Sequence, residues 1–90
     1  MQKYLAEFVG TLFLCYVILV APKTNMKPLT LGAALAVVVV VLGSVSGAHI
    51  NPAVTAMMFV AKKIRQDDAV LYILAQMAGG VTAFYLNKNL

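Results

Sequence analysis

Apolar residues in this sequence come in three long runs, at 4–21, 29–45 and 69–86, and that distribution constrains the fold more than any other feature. Each run holds about 18 residues. As an α-helix rising ~1.5 Å per residue, such a run reaches about 27 Å and just crosses the hydrocarbon core of a bilayer. The valines from Val37 to Val41 would favour a strand in water. In lipid an isolated strand leaves its backbone unpaired, so the run is read as helix. Of the 90 residues, 62% are hydrophobic and 11% are charged. A water-soluble domain of that size cannot cover so much apolar side chain, so the solvent is expected to be lipid.

The net charge of +4 is spread over loops and ends. That pattern suits basic loops at membrane surfaces and gives little support to nucleic-acid binding. Cys15 is the single cysteine and lies inside an apolar run, so no internal disulfide forms and the redox compartment stays open. The first run is expected to be a membrane span, not a cleavable signal: one lysine precedes it, Glu7 interrupts it, and no clear small-x-small site follows. Residues 22–28, with prolines at both ends and two lysines, read as a loop. Lys62, Lys63, Arg65, Asp67 and Asp68 form a second polar connection, in which Asp67 or Asp68 is expected to cap the next helix.

Between the second and third runs lies Ser46-Gly47-Ala48-His49-Ile50-Asn51-Pro52-Ala53-Val54-Thr55, which reads as a loop running into a helix start. Asn51 is a strong N-cap, and Pro52 falls at N1, where the missing N–H costs nothing. The apolar stretch that follows ends at Ala61, so the capped helix is only about 16 Å long, half a bilayer core. Residues 46–61 are therefore expected to form a re-entrant loop and half-helix. Its free N–H groups and positive dipole end would point into a cavity near the midplane. The expected fold is an all-α membrane protein with three transmembrane helices plus one re-entrant half-helix, residues 1–90 forming a single unit. Gly32 and Gly43, with Ala36 and Gly47 at helical spacing, and Gly79 in the third span, are expected to permit close helix packing.

Several polar residues sit inside these segments. Glu7 has two readings: it reaches the interface, or it faces the interior and accepts backbone N–H groups from the loop around His49. Thr11 lies one turn further along the same face. Gln76 is expected to bond the loop or a neighbouring helix. The Asn51 amide has two donors, which in a pore can hold the oxygen of a water or small alcohol. With the half-helix dipole, it would orient that water against a proton wire and repel cations. Extended residues Gly47, Ala48, His49 and Ile50 would offer carbonyl oxygens as a ladder of acceptors, an arrangement tolerated at membrane depth only along a cavity. His49 has no second His, Cys or carboxylate near it in sequence, so a metal role is poorly supported. A pH-sensing role and a loop-fixing role both stay open. No nucleophile–base pair, metal-ligand spacing or phosphate loop is present, so neither an enzyme nor a bound cofactor is expected.

The ten residues from Ser46 to Thr55 resemble the first Asn-Pro-Ala loop of the aquaporin/glycerol-facilitator (major intrinsic protein) family. Two further stretches agree. Ala6-Glu7-Phe8-Val9-Gly10-Thr11 is similar to the Glu-x-x-x-Thr pattern of the family's first helix, and Tyr72-Ile73-Leu74-Ala75-Gln76-Met77-Ala78-Gly79-Gly80 to the Tyr-x-x-Ala-Gln-x-x-Gly pattern of its third. The resemblance implies a passive channel for water and small neutral solutes such as glycerol, with the His49 ring fixing the loop. It covers one half of a family member only. Members carry two such halves in opposite orientations, their half-helices meeting at the midplane. The arginine that follows the second Asn-Pro-Ala corresponds here to Val54, and the second-helix aromatic to Leu31. Met57 stands where a small residue is usual. The missing filter residues lean the expectation toward a wider constriction that passes glycerol alongside water.

A lone half needs a second one opposite Asn51. Lys3, Lys62, Lys63 and Arg65 fall at one membrane face and Lys23, Lys27 and Lys88 at the other, a weak orientation bias. The chain is therefore expected either to insert both ways and pair antiparallel with itself, such pairs then clustering fourfold, or to pair with a partner half. Two alternatives stay open: a fragment of a longer channel, or a non-conducting membrane protein that modulates full-length channels.

Overall fold

The computed structural model of the protein describes residues 1–90 as four helices and no strand: α1 (Gln2–Val20), α2 (Lys27–Ser46), α3 (Pro52–Val60) and α4 (Gln66–Asn89). α1, α2 and α4 are each long and apolar enough to cross a membrane. α3 has 9 residues, which is about 14 Å of helix. α1 is the centre of the bundle, packed on α2 at one side and α4 at the other, while α3 packs on α4.

The burial pattern is reversed from that of a soluble protein. The largest fully buried side chains are Glu7, Thr55 and Gln76, whereas Leu5, Val40, Leu74 and Val81 are exposed. In water such an exterior would aggregate. In hydrocarbon it is the stable arrangement, because lipid solvates the valines and leucines while polar groups find partners only inside the bundle.

Small residues set how closely the helices approach. α4 buries one stripe, Ala69, Tyr72, Gln76, Gly79 and Ala83, and α1 buries Ala6, Glu7, Gly10 and Thr11. A Cβ on Gly79 would lie 2.5 Å from the Phe8 carbonyl oxygen and 3.1 Å from the Leu12 nitrogen, so α1 and α4 meet backbone to backbone there. Gly10 takes the Ile50 and Leu42 side chains, 2.7 and 2.9 Å from where its Cβ would be. Gly32 and Gly43, the other two expected packing positions, have no such neighbour in this chain. A Cβ at either meets nothing within 4 Å, so within this chain neither is a packing site. Helical spacing marks a small-residue ridge but not whether a helix lies against it, and these two sit on the open face of α2.

The helix ends follow local chemistry. α1 stops before Pro22, and α2 ends on Gly47, whose left-handed φ of 88° suits glycine and whose N–H bonds the Gly43 carbonyl at 2.9 Å. α4 begins earlier than expected. Its N-cap is Arg65, without a side-chain cap, so Asp67 and Asp68 are not caps but first-turn residues. There they complement the positive end of the helix. Asp68 is also drawn aside, since Lys3 bonds it at 3.0 Å and the Tyr4 hydroxyl donates to its other oxygen. The polar tail 87–89 continues α4, with Asn89 bonded to the Tyr85 carbonyl.

Candidate functional site

The short path from Gly47 to Asn51 is strained. Ala48 has φ 50° and Ile50 φ 60°, both left-handed. That conformation costs about 1–2 kcal/mol for a residue with a Cβ, and a β-branched isoleucine is poorly suited to it. Something must hold the loop, and it is Glu7.

Glu7 is 0% exposed and accepts four hydrogen bonds, two at each oxygen. Oε2 accepts from Ser46 Oγ at 2.7 Å and from the His49 N–H at 3.1 Å. Oε1 accepts from the Ile50 N–H at 2.9 Å and from Gln76 Nε2 at 2.8 Å. Four acceptor sites is the full capacity of a carboxylate. The Ala48 N–H completes the set by donating to Ser46 Oγ at 3.1 Å. Of the two sequence readings of Glu7, the interior one matches these contacts.

With the N–H groups of residues 48–50 turned inward, the other side of the loop is left open. No hydrogen bond within the chain uses the carbonyl oxygens of Gly47, Ala48, His49 or Ile50. Gly47 is exposed, and Ala48 and His49 are half-buried. The Ile50 side chain is buried beside Gly10, so only its backbone is left on the open side of the loop.

Asn51 caps α3 as its sequence position suggested. It is extended at φ −148°, and its Oδ1 accepts the Ala53 N–H at 2.8 Å. Capping consumes the oxygen and leaves the Nδ2 donors free at an exposed position. Pro52 and Ala53 are exposed beside it on the first turn.

A second set of bonds ties α3 to α4. Gln76 Nε2 donates to Thr55 Oγ1 at 3.0 Å as well as to Glu7, which uses both amide protons. Thr55 Oγ1 also lies 2.8 Å from His49 Nδ1, and with Gln76 already donating to it, His49 Nδ1 is the acceptor within reach of its own proton. That assignment puts the ring N–H on Nε2, whose edge lies beside Gly47. The imidazole also packs on the Tyr72 ring, centroids 4.9 Å apart, and the Tyr72 hydroxyl donates to the Ser46 carbonyl at 2.6 Å. Thr55→Val should leave one Gln76 proton and His49 Nδ1 unpaired, at about 1–3 kcal/mol. Ring ¹⁵N shifts are expected to show one tautomer in the wild type and a mixture in the variant.

Two residues stand apart. Thr11 is buried but its Oγ1 bonds nothing, and its Cβ is part of the α1–α4 crossing at Gly79, so it packs helices without bonding the loop. Leu31 lies about four turns before Ser46 on α2, near the opposite end of that helix, and joins none of these contacts. Sequence reasoning missed Ser46, Thr55 and Tyr72. Tyr72 shares the buried stripe of α4 with Gln76, and Thr55 is the one polar side chain of α3, so helical spacing and polarity could have flagged both.

The family model described as Major intrinsic protein matches residues 1–90. The chain is 39% identical over 88 residues to a glycerol uptake facilitator protein-like 6 of Lactiplantibacillus plantarum, covering 92% of this chain and 41% of that protein. It is 30% identical over 112 residues to the aquaporin AqpM of Methanothermobacter thermautotrophicus, covering 94% and 46%. With the lens fiber major intrinsic protein of Lithobates pipiens it shares 39% identity over 84 residues, 84% of this chain and 32% of that one. The chain thus spans less than half the length of these relatives.

Proposed function

Because the chain belongs to the major intrinsic protein family, we propose that residues 1–90 form one half of a passive channel for water and small neutral solutes such as glycerol. The protein is an integral, multi-pass membrane protein. One observation carries the reading: the loop spends its N–H groups on Glu7 and Ser46 and leaves its carbonyls unbonded, directly before the free Asn51 amide. Acceptors followed by a donor at the positive end of a half-helix would pass a hydroxyl-bearing solute and disfavour cations. Such transport is conduction, with no bond made or broken and no enzyme chemistry required.

The opposite wall is a second half, in the form of an antiparallel copy, a partner chain or a further length of the same polypeptide. For self-pairing, tags at both ends are expected to appear on both membrane faces; a single orientation for all copies rules that form out.

Asn51→Asp tests the role of the amide. Aspartate is as good an N-cap, so the fold is expected to hold. The donors are lost and a negative charge replaces them, so cation leak through reconstituted protein should rise about tenfold or more, the equivalent of ~1.4 kcal/mol of barrier. An unchanged leak in an otherwise conducting sample contradicts the assignment.

A further inference from the structure

The end of the bundle where α1 begins, α3 stops and α4 begins gathers Lys3, Lys62, Lys63 and Arg65. Two of these cations are neutralised within the chain, Lys3 by Asp68 at 3.0 Å and Arg65 by Asp67 at 3.1 Å. Lys62 and Lys63 have no acidic partner. They are not on a loose loop. The Lys62 N–H bonds the Phe59 carbonyl at 3.0 Å and the Lys63 N–H the Met58 carbonyl at 2.8 Å, which closes the C-terminus of α3. The turn puts Lys62 at φ 61°, a position where glycine is the usual residue. A cation thus stands where the backbone would favour no side chain at all.

Beside this turn opens a cleft of about 450 Å³ lined by Phe59, Lys62, Lys63, Ile64, Arg65 and Gln66. Gln66 is the first residue of α4, so the positive end of a 24-residue helix borders the same cleft. The lining has two chemistries, cationic from Lys62, Lys63 and Arg65 and apolar from Phe59 and Ile64. It lies at the end of helices that cross the membrane, which puts it level with the lipid headgroups.

We propose that this cleft binds the headgroup of an anionic phospholipid, its phosphate neutralised by Lys62 and Lys63 and its acyl side lying along Phe59 and Ile64. A small soluble anion would use the charges but not the apolar wall. Arg65 contributes less than the lysines because Asp67 already faces it. The site is independent of what the pore conducts.

The test is electron spin resonance on the full chain in phosphatidylcholine vesicles at low salt, comparing the protein-restricted fraction of spin-labelled phosphatidylglycerol with that of spin-labelled phosphatidylcholine. The anionic lipid is expected to be preferred on the order of five-fold, from about one surface cation's worth of attraction. Lys62→Gly with Lys63→Gln should bring the ratio near one, and glycine at position 62 suits the turn, so loss of fold is not the cause. Lys23→Gln with Lys27→Gln removes the same charge at the opposite end and should leave the preference intact. Absence of preference in the wild type, or equal loss in both variants, overturns the proposal. So does displacement of the lipid by inorganic phosphate under conditions where chloride of equal ionic strength has no effect.

Discussion

Glu7→Gln is expected to release the loop that carries Asn51. A glutamine offers one acceptor oxygen where the carboxylate offers two, and its NH₂ group would confront two of the four donors now bonded to Glu7. Each buried donor left without a partner costs about 1–3 kcal/mol, so the substitution should cost about 4 kcal/mol in all. The loss falls on a segment already strained at Ala48 and Ile50, which would relax toward ordinary backbone angles once unpinned. Amide exchange at His49 and Ile50 should rise by orders of magnitude, and the thermal midpoint in detergent should drop. Unchanged exchange at those two amides would show that the loop holds itself.

The second large effect is expected from Gly79→Ala. One methyl group there would sit 2.5 Å from the Phe8 carbonyl oxygen, a backbone atom that moves only if α1 moves. Overpacking of this kind costs about 1–3 kcal/mol. Because α1 carries Glu7 and α4 carries Gln76, the same shift would stretch the 2.8 Å bond between them. Gly10→Ala should cost less, since its neighbours are the ends of the Ile50 and Leu42 side chains. Gly32→Ala should instead stabilise the isolated chain by about 0.5–1 kcal/mol, because it meets nothing and glycine is a poor helix residue. Thermal midpoints in detergent for the three variants check the order; equal effects at positions 32 and 79 would contradict the account of the crossing.

The features legible in the sequence are those set by local chemistry and by length. Three runs long enough for a bilayer became α1, α2 and α4, and Asn51-Pro52 became the capped start of a half-length helix. Contacts between distant segments were less legible. Sequence narrowed Glu7 to two readings, and only its distance to Ser46, His49, Ile50 and Gln76 separates them. Gly32 and Gly79 look alike as small residues in apolar helices, yet one faces open space and the other the backbone of α1. Asp67 and Asp68 are good caps by type, but a tertiary bond to Lys3 and Tyr4 holds Asp68 and the helix starts before both. The neighbours of His49, Thr55 and Tyr72, come from α3 and α4 together.

On the proposed function, this chain supplies one wall of a water and solute pore. Stopped-flow light scattering measures it most directly, following osmotic shrinkage and glycerol entry in proteoliposomes. One sample holds the chain alone, and a second holds the chain with the unmatched half of its Lactiplantibacillus plantarum relative. Faster water and glycerol flux than in empty liposomes is expected in at least one of the two, the first identifying self-pairing and the second a complementary half. If neither sample exceeds empty liposomes while the protein is folded and inserted, the chain is not a channel half, and the free carbonyls before Asn51 serve some non-conducting role.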